Sequence, residues 1–232
     1  MEKNILSVVM PAYNEKDTVL KMIDMVLKLD MVKELIVVDD GSTDGTKKLL
    51  KNAKFDERVK VLFHEKNTGK GASLRTGFGY ASGDVVAIQD ADLEYDPNEL
   101  KEMIRPIQEG LADVVYGSRL SGGKPQRVYL FWHRVGNDFL TFVTNLLYNT
   151  TLTDMETGYK MFKKDVIKNL NIDSDRFSVE PELTAKILKN KKLRVYEMPI
   201  SYYGRSYQEG KKISWIHGFS ALWTLLKYRF TA

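Results

Sequence analysis

The sequence predicts an α/β protein whose mostly parallel sheet is flanked by helices. Short apolar runs alternate with helical patterns along the first half of the 232 residues, which is typical of parallel βαβ units. A polar cluster follows each of the first five apolar runs, which is where ligands bind in open α/β sheets. The composition, with 43% hydrophobic and 28% charged residues, is typical of globular proteins and excludes disordered, collagen-like and coiled-coil classes.

Five strands are predicted in the first half, each as an apolar run bounded by turn residues. They span residues 6–10, 34–38, 59–63, 85–88 and 114–115. Helices are predicted between them over residues 18–29, 43–50 and 72–81. In the first helix, Val19, Ile23 and Val26 recur at helical spacing. Pro97 suits the first turn of a fourth helix, which Pro106 should end or kink.

The second half of the chain is less regular. Its predicted elements are helices over residues 129–148 and 181–189, a strand over 193–198 and an aromatic-rich helix over 213–230. We expect one domain over residues 1–210, followed by an amphipathic helix over residues 211–232. The broad apolar face of that helix, with basic residues at its ends, fits either a helix lying on anionic lipid or a helix packed on the domain.

Several protein classes are excluded by the residues present. The chain has no cysteine, so it holds no disulfide, thiolate zinc site or cysteine nucleophile, and its histidines lack metal-ligand spacing. No apolar run reaches the roughly 18 residues of a transmembrane helix. The apolar run before Pro11 is too short for a signal peptide, so we expect a cytoplasmic location.

Charge is unevenly distributed along the chain. Residues 183–232 contain ten Lys or Arg and two acidic residues, a balance of +8, whereas residues 1–182 carry −4. A basic C-terminal region favours an anionic partner such as nucleic acid, phosphate or lipid head groups, although a solvated basic surface gives the same pattern. Because no nucleic-acid-binding motif is present, we expect an anionic membrane surface or a phosphate and no nucleic acid.

Residues that follow the predicted strands, most of them polar, form the candidate site. In chain order they include Pro11, Ala12, Tyr13, Glu15, Asp39, Asp40, Lys70, Asp90, Asp92, Glu94 and Arg119. The turn after the first strand has no glycine, which excludes a dinucleotide site and a glycine-rich nucleotidyltransferase loop. A Walker A sequence is also absent. Five polar loops at one edge of a sheet therefore predict a binding site. It is neither a dinucleotide site, a nucleotidyltransferase loop nor a Walker A site.

Asp90 and Asp92 are the strongest single signal. Two carboxylates one residue apart at a strand end suit a hard divalent cation, Mg²⁺ or Mn²⁺, which also binds phosphates. Glu94 continues the same spacing and is the third candidate ligand. The alternative is a turn of solvated acids, which the position beside four other polar loops disfavours.

Asp40 and Lys70 have two interpretations each. Asp40 suits hydrogen bonds to a base or ribose, while its neighbours at 42–44 suit capping of the following helix. Lys70, flanked by two glycines, suits either phosphate binding or a plain loop.

Together these loops resemble those of family 2 glycosyltransferases of the GT-A fold. The matching stretches are VVMPAYNE, VVDDGSTDGT, NTGKGASLRTG and QDADLEYDP, in the family's order and spacing over roughly the first 120 residues. The later segments GSRL, TDMETGYKMF and FSVEPEL resemble the branch that acts on polyprenyl phosphates, including dolichol-phosphate mannosyltransferases. The resemblance implies a Rossmann-like GT-A domain.

The resemblance also implies roles for individual residues. The nucleotide would be held by Pro11, Ala12, Tyr13, Glu15, Asp39, Asp40, Lys70 and Asp90, and the metal by Asp90, Asp92 and Glu94. The catalytic groups would be Asp92, Arg119, Asp154 and Arg205, and the acceptor-phosphate ligands Arg134 and Lys211. Asp154 or Glu180 would orient the acceptor or act as a base. The segment RSYQEGKK departs from the shorter Arg-x-x-Gly-x-Ser-Lys loop of eukaryotic mannosyl enzymes.

The implied function is an inverting, metal-dependent transfer of one sugar from GDP-mannose or a UDP-sugar to a polyprenyl or dolichyl phosphate. One alternative is transfer to a saccharide or protein hydroxyl, which needs a general base. Another is a non-catalytic subunit that binds a nucleotide sugar, against which the intact pair of Asp90 and Asp92 argues. The expected location is peripheral, on the cytoplasmic face of a membrane, with or without a membrane partner subunit.

Overall fold

The computed structural model of the protein describes residues 5–128, 130–205 and 216–231. Its strands are β1 (Leu6–Ala12), β2 (Val32–Asp39), β3 (Val59–Phe63), β4 (Val85–Ile88), β5 (Val114–Ser118), β6 (Lys160–Lys163) and β7 (Val195–Pro199). Within the described residues these seven strands form one sheet in the order β3-β2-β1-β4-β6-β5-β7. β6 runs antiparallel to β4 and β5, and the other pairs are parallel. The predicted mostly parallel sheet is confirmed.

Helices cover both faces of this sheet. They are α1 (Val19–Leu27), α2 (Thr46–Asn52), α3 (Lys70–Tyr80), α4 (Leu100–Met103), α5 (Arg105–Gln108), α6 (Phe131–Tyr148), α7 (Lys164–Lys168), α8 (Val179–Lys189) and α9 (Ile216–Phe230). A 3₁₀ turn over Pro97–Glu99 precedes α4, and Asp96 caps it by accepting a hydrogen bond from the N–H of Asn98 at 2.9 Å. The predicted helix begins at Pro97 and is interrupted before Pro106, as the sequence indicates.

Alternation of side chains along β1 divides the core between the two faces of the sheet. Leu6 and Val8 pack with α1 in one cluster, while Val9 packs with Leu74 of α3 in the other. Gly77 lets α3 approach β1 closely, because a Cβ there would lie 2.3 Å from Val9 Cγ1. Since both faces are covered by helices, the parallel strands are nearly continuous apolar runs.

The apolar pattern does not predict β6 or α7. The sequence of β6, KMFK, contains two lysines, and Lys160 is nevertheless fully buried. It is buried because its ammonium group is ion-paired with Glu180, twenty residues further along the chain. A strand whose buried charge is neutralised by a distant residue has no apolar signature of its own.

The C-terminal helix α9 packs against α6 and α8. The hydroxyl of Tyr148 donates to the carbonyl oxygen of Leu225 at 2.7 Å, and that of Tyr228 donates to Asp173 Oδ2 at 2.9 Å. Leu225 is fully buried, whereas Trp223 is 69% exposed. The helix therefore has one face in the core and one apolar face in solvent. In the described part of the chain, no helix has the length and apolar character needed to cross a membrane.

Candidate active site

A cavity of about 590 Å³ opens at the carboxyl ends of β1, β2 and β4. The predicted site residues that line it are Pro11, Ala12, Tyr13, Glu15, Asp40, Lys70, Asp90, Asp92, Glu94, Arg119 and Arg205. Asp39, Arg134 and Asp154 are not part of this lining, and Lys211 lies outside the described residues. Seven carboxylates and four cationic side chains line the cavity, so its described walls carry an excess of negative charge.

Side-chain hydrogen bonds join the loops that follow β1 and β2. Ser42 Oγ accepts from the N–H of Asn14 at 2.9 Å, and Thr46 Oγ1 accepts from the N–H of Glu15 at 3.0 Å. Asn14 has a φ of 54°, a left-handed conformation that asparagine tolerates better than most residues. These bonds fix the backbone of Asn14 and Glu15 at the cavity wall.

Asp40 organises the loop that follows β3. Its carboxylate accepts from the N–H of Thr68 at 3.0 Å and from that of Gly69 at 2.7 Å, and its Oδ1 lies 2.7 Å from Nδ1 of His64. Burial opposes ionisation, but these hydrogen bonds outweigh it and lower the pKa of Asp40. Asp39 is buried away from the cavity, where its Oδ2 accepts from the N–H of Ser42 at 3.3 Å. Nucleotide binding by these two acids stays a prediction.

Lys70 lies between two acids of the cavity. Its Nζ is 2.8 Å from Asp90 Oδ1 and 3.0 Å from Glu180 Oε1. Burial opposes the charged form of Lys70, but Asp90 and Glu180 outweigh it and raise the pKa of the ammonium group. Burial likewise disfavours the Glu180 carboxylate, but Lys160 and Lys70 lower its pKa. Glu180 is therefore held as a carboxylate between two ammonium groups, which makes it a weak base.

Asp92 and Glu94 are engaged by Arg205. The guanidinium donates to both carboxylate oxygens of Glu15 at 3.1 Å and to Asp92 Oδ2 at 3.1 Å, and its Nε lies 3.4 Å from Glu94 Oε1. Glu94 also accepts from the hydroxyl of Tyr202 at 2.8 Å. The expected set of three metal ligands is consequently not assembled: within the described residues, no group of three His, Asp or Glu side chains is placed to hold a metal ion.

Asp90 and Asp92 nevertheless fit a divalent cation. Burial, followed by the charges of Asp90 and Glu94, raises the pKa of Asp92 to about 7, so an added cation would stabilise its carboxylate. Mg²⁺ is usually held by one or two carboxylates together with substrate phosphates, and Mn²⁺ accepts the same oxygen ligands. Two acids on one wall of the cavity are therefore sufficient without Glu94.

Asp154 is fully buried beneath Arg119. Its carboxylate accepts from Nε and from a terminal nitrogen of Arg119, each at 2.7 Å, and from the backbone N–H of Arg119 at 3.0 Å. Burial opposes ionisation of Asp154, but Arg119 outweighs it and lowers the pKa of the carboxyl. The position predicted for a base thus holds an acid that orients and neutralises Arg119.

Arg134 lies on α6, away from the cavity lining. Its Nε donates to Asp138, one turn further along the helix, at 2.8 Å, and its side chain is 49% exposed. Its role toward an acceptor phosphate stays a prediction.

Glu156 lines the cavity although no motif in the sequence predicts a role for it. Its Oε1 is buried and, in the described part of the chain, has no hydrogen-bond partner. Burial and the charge of Glu180 raise the pKa of Glu156 to about 7. The sequence signal for Glu156 is its position two residues after Asp154. That spacing alone does not distinguish a cavity residue from a turn residue.

The family model for glycosyl transferase family 2 matches residues 7–170, a range that contains six of the seven acids of the cavity. The chain belongs to glycosyltransferase family 2. It is a glycosyltransferase, and the predicted family is confirmed.

Relatives of known name are similar over most of this family 2 chain. The UDP-N-acetylglucosamine–dolichyl-phosphate N-acetylglucosaminyltransferase of Methanococcus voltae is 28% identical over 244 residues, which cover 97% of this chain and 96% of that protein. The dolichol-phosphate mannosyltransferase of Pyrococcus furiosus is 28% identical over 212 residues, which cover 89% of this chain and 58% of that protein.

Solved structures share the fold. Glucosyl-3-phosphoglycerate synthase of Mycobacterium tuberculosis, in complex with Mn²⁺, UDP and phosphoglyceric acid, matches with a TM-score of 0.71 and 21% identity. The match covers 98% of this chain and 79% of that one. The fold of the chain is therefore GT-A, as predicted.

Proposed function

We propose that the protein transfers a single sugar from a nucleotide sugar to a polyprenyl phosphate, with inversion at the anomeric carbon and with Mg²⁺ or Mn²⁺ bound. The observation that carries this function is the placement of Asp90 and Asp92 on the same cavity wall as Lys70, Arg119 and Arg205. Oxygen ligands for a divalent cation beside fixed positive charges suit a diphosphate leaving group. The dolichyl phosphate in the names of two relatives supports the acceptor class.

The charged side chains of the cavity have different proposed roles in sugar transfer. When bound, the divalent cation supplies a Lewis acid for the departing nucleoside diphosphate, and Asp90 and Asp92 would hold it. Arg119, kept charged and oriented by Asp154, would donate charge-assisted hydrogen bonds to phosphate oxygens. Arg205 contacts three carboxylates from one position, so it can exchange a carboxylate for a phosphate oxygen once those acids are neutralised.

The state of the acids in the site bears on the choice between a phosphate and a hydroxyl acceptor. A hydroxyl acceptor needs a general base, and Asp154 and Glu180 are both ion-paired, with pKa values below the ordinary range. A lipid phosphate is already ionised at neutral pH and attacks without transfer of a proton to the protein. Glu156, whose pKa is raised to about 7, is the cavity residue that a hydroxyl acceptor would use as a base. The preference for a phosphate acceptor over a saccharide or protein hydroxyl therefore rests on the dolichyl phosphate in the names of the relatives.

An exposed apolar surface on two helices suits the membrane in which a polyprenyl phosphate lies. We name it the aromatic surface; it comprises Phe131, Trp132, Phe139 and Phe142 of α6 and Phe219 and Trp223 of α9, all more than half exposed. At helical spacing, the four residues of α6 share one face. Lys227 and Arg229 on α9 add positive charge, which suits anionic lipid. We propose peripheral binding at the cytoplasmic face of a membrane, with or without a membrane partner subunit.

The transfer reaction is tested with Mn²⁺, labelled GDP- and UDP-sugars and short polyprenyl phosphates. The expected result is an organic-soluble labelled product from one donor. Asp92→Asn should reduce its formation by at least about a hundredfold, while the exposed Asp165→Asn, whose side chain is 89% exposed on α7, should not. Absence of product with every donor, or full activity of Asp92→Asn, would contradict the proposed function.

Membrane binding is tested by co-sedimentation with vesicles that contain anionic lipid. Binding should weaken as salt rises, because each Lys or Arg near the surface contributes about 1 kcal/mol before screening. Trp132→Ser together with Trp223→Ser should reduce it, whereas Tyr80→Ser, on α3, is the matched control. Equal binding by all variants would contradict a role for the aromatic surface.

A further inference from the structure

The segment between Asp154 and Lys160 forms a rigid part of the cavity wall. Thr157 Oγ1 donates to the carbonyl oxygen of Gly117 at 2.6 Å, and the N–H of Gly158 donates to the hydroxyl of Tyr95 at 3.3 Å. A Cβ on Gly158 would lie 2.6 Å from Asp90 Oδ2 and 2.9 Å from Lys70 Nζ. The backbone that carries Glu156 therefore runs directly beside the acid proposed to hold the metal.

Glu156 differs from the neighbouring acids in having no ion pair among the described residues. Asp154 is bonded to Arg119, and Glu180 is ion-paired with Lys160 and Lys70. Glu156 lines the same cavity, and its Oε1 is buried with no hydrogen-bond partner among the described residues. A buried acceptor without a donor costs about 1–3 kcal/mol, and a ligand that supplies the donor recovers that energy.

The charges around Glu156 restrict what that ligand group can be. Two acids, Asp154 and Glu180, and two cations, Arg119 and Lys160, act on its carboxyl. Because Arg119 is already ion-paired with Asp154 and Lys160 with Glu180, neither cation is left to offset the carboxylate of Glu156, which therefore repels a phosphate group. A neutral donor suits it, and a nucleotide sugar offers neutral hydroxyls on its sugar.

We propose that Glu156 is a specificity-determining residue that accepts a hydrogen bond from a hydroxyl of the donor sugar. This inference rests on the proposed function. A site that hydrogen-bonds a substrate hydroxyl rejects analogues that lack it far more strongly than an apolar pocket rejects a change of size. Glu156 thereby contributes to the choice of sugar, while the loops after β1 and β2 hold the nucleoside.

The experiment is calorimetry on the full chain with Mn²⁺, comparing UDP and GDP with the corresponding sugar nucleotides. Glu156→Leu should lower affinity for the preferred sugar nucleotide by about tenfold to a hundredfold and leave affinity for the nucleoside diphosphate unchanged. Glu156→Gln, which keeps an acceptor oxygen, should retain part of the difference. A donor analogue without the recognised hydroxyl should bind the wild type weakly. Its affinity for the wild type should equal the affinity of the complete donor for Glu156→Leu.

Each remaining outcome overturns the inference in a distinct way. If Glu156→Leu leaves the ratio of sugar-nucleotide to nucleotide affinity unchanged, Glu156 does not bind the sugar. If the glutamine variant binds normally but loses turnover, Glu156 is a base instead. If a variant weakens the binding of nucleotide and sugar nucleotide equally, the role of Glu156 is structural. Thermal unfolding shows whether each variant is folded. If Glu156→Leu does not fold, Glu156→Ala gives the same comparison of affinities. If the wild type binds no nucleotide at all, the proposed function itself fails.

Discussion

Replacement of Asp154 by asparagine should strongly destabilise the protein. The fully buried carboxylate is bonded to Nε and to a terminal nitrogen of Arg119 at 2.7 Å each, and Asn137 Nδ2 donates to it at 3.2 Å. Asparagine keeps one oxygen but turns an amide N–H₂ toward the guanidinium and removes the charge. Because the side chain of Arg119 is only 17% exposed, its charge is left largely buried and unpaired.

The expected cost follows from that geometry. Breaking a buried ion pair by removing one partner costs about 3–5 kcal/mol, whereas replacing both partners with apolar groups often costs much less. The double variant Arg119→Met, Asp154→Leu should therefore be more stable than Asp154→Asn. The pKa of Asp154 is held below its ordinary value of 3.8, so its contribution is fully present above that pH and is lost as pH falls through the lower folded value.

Urea unfolding at pH 7, followed by circular dichroism, measures these differences directly. The difference between wild type and Asp154→Asn should narrow as the pH is taken below 3.8. A loss smaller than about 1 kcal/mol for Asp154→Asn, or a double variant less stable than the single one, would refute the assignment of Asp154 as the positioning residue of Arg119.

Three further changes test the site. Asp40→Ala should weaken binding of GDP or UDP more than binding of Mn²⁺ in calorimetry, because the loop it fixes at Thr68 loosens; unchanged nucleotide affinity would leave it a purely structural acid. Arg205→Met should raise Mn²⁺ affinity several-fold in the absence of nucleotide, measured by paramagnetic resonance, because the guanidinium no longer occupies Asp92; equal affinity would contradict that competition. Burial raises the pKa of Glu156 from 4.5 to about 7, so the wild type loses stability as pH rises from 4.5 to 7. Glu156→Gln should escape that loss, gaining up to about 3 kcal/mol relative to wild type in urea unfolding, and a pH-independent difference would contradict the raised pKa.

Much of the fold is predictable because its signals are local. Strands β3 and β4 have the predicted bounds, and β1, β2 and β5 extend the predicted runs by a few residues. Each is an apolar run that ends in turn residues, so neighbours in the sequence are sufficient to define it. The α2 helix begins at Thr46 instead of residue 43 because Asp44 accepts from the N–H of Thr46 at 2.9 Å, which makes a turn before the helix.

Part of the site is predictable for the same reason. The carboxyl ends of parallel strands meet at one edge, so the positions of Asp40, Asp90 and Asp92 in the chain already place them in one cavity. What could not be predicted is the partner of each charge. Arg205 neutralises Glu15 across 190 positions of sequence, and the same guanidinium also contacts Asp92 and Glu94, two of the expected metal ligands.

By itself, the sequence determined the alternation of strands and helices, the edge of the sheet at which the ligand site lies, and the glycosyltransferase family. Only the tertiary structure decided which acids are neutralised and which is not: Asp154 and Glu180 are paired with cations, whereas Glu156 keeps a buried oxygen without a partner among the described residues. It also decided that α6 has a second apolar face in solvent, besides the one that it buries in the core. The physical reason is that a strand or turn depends on adjacent residues, while the charge state of a buried acid depends on groups that folding brings from distant parts of the chain.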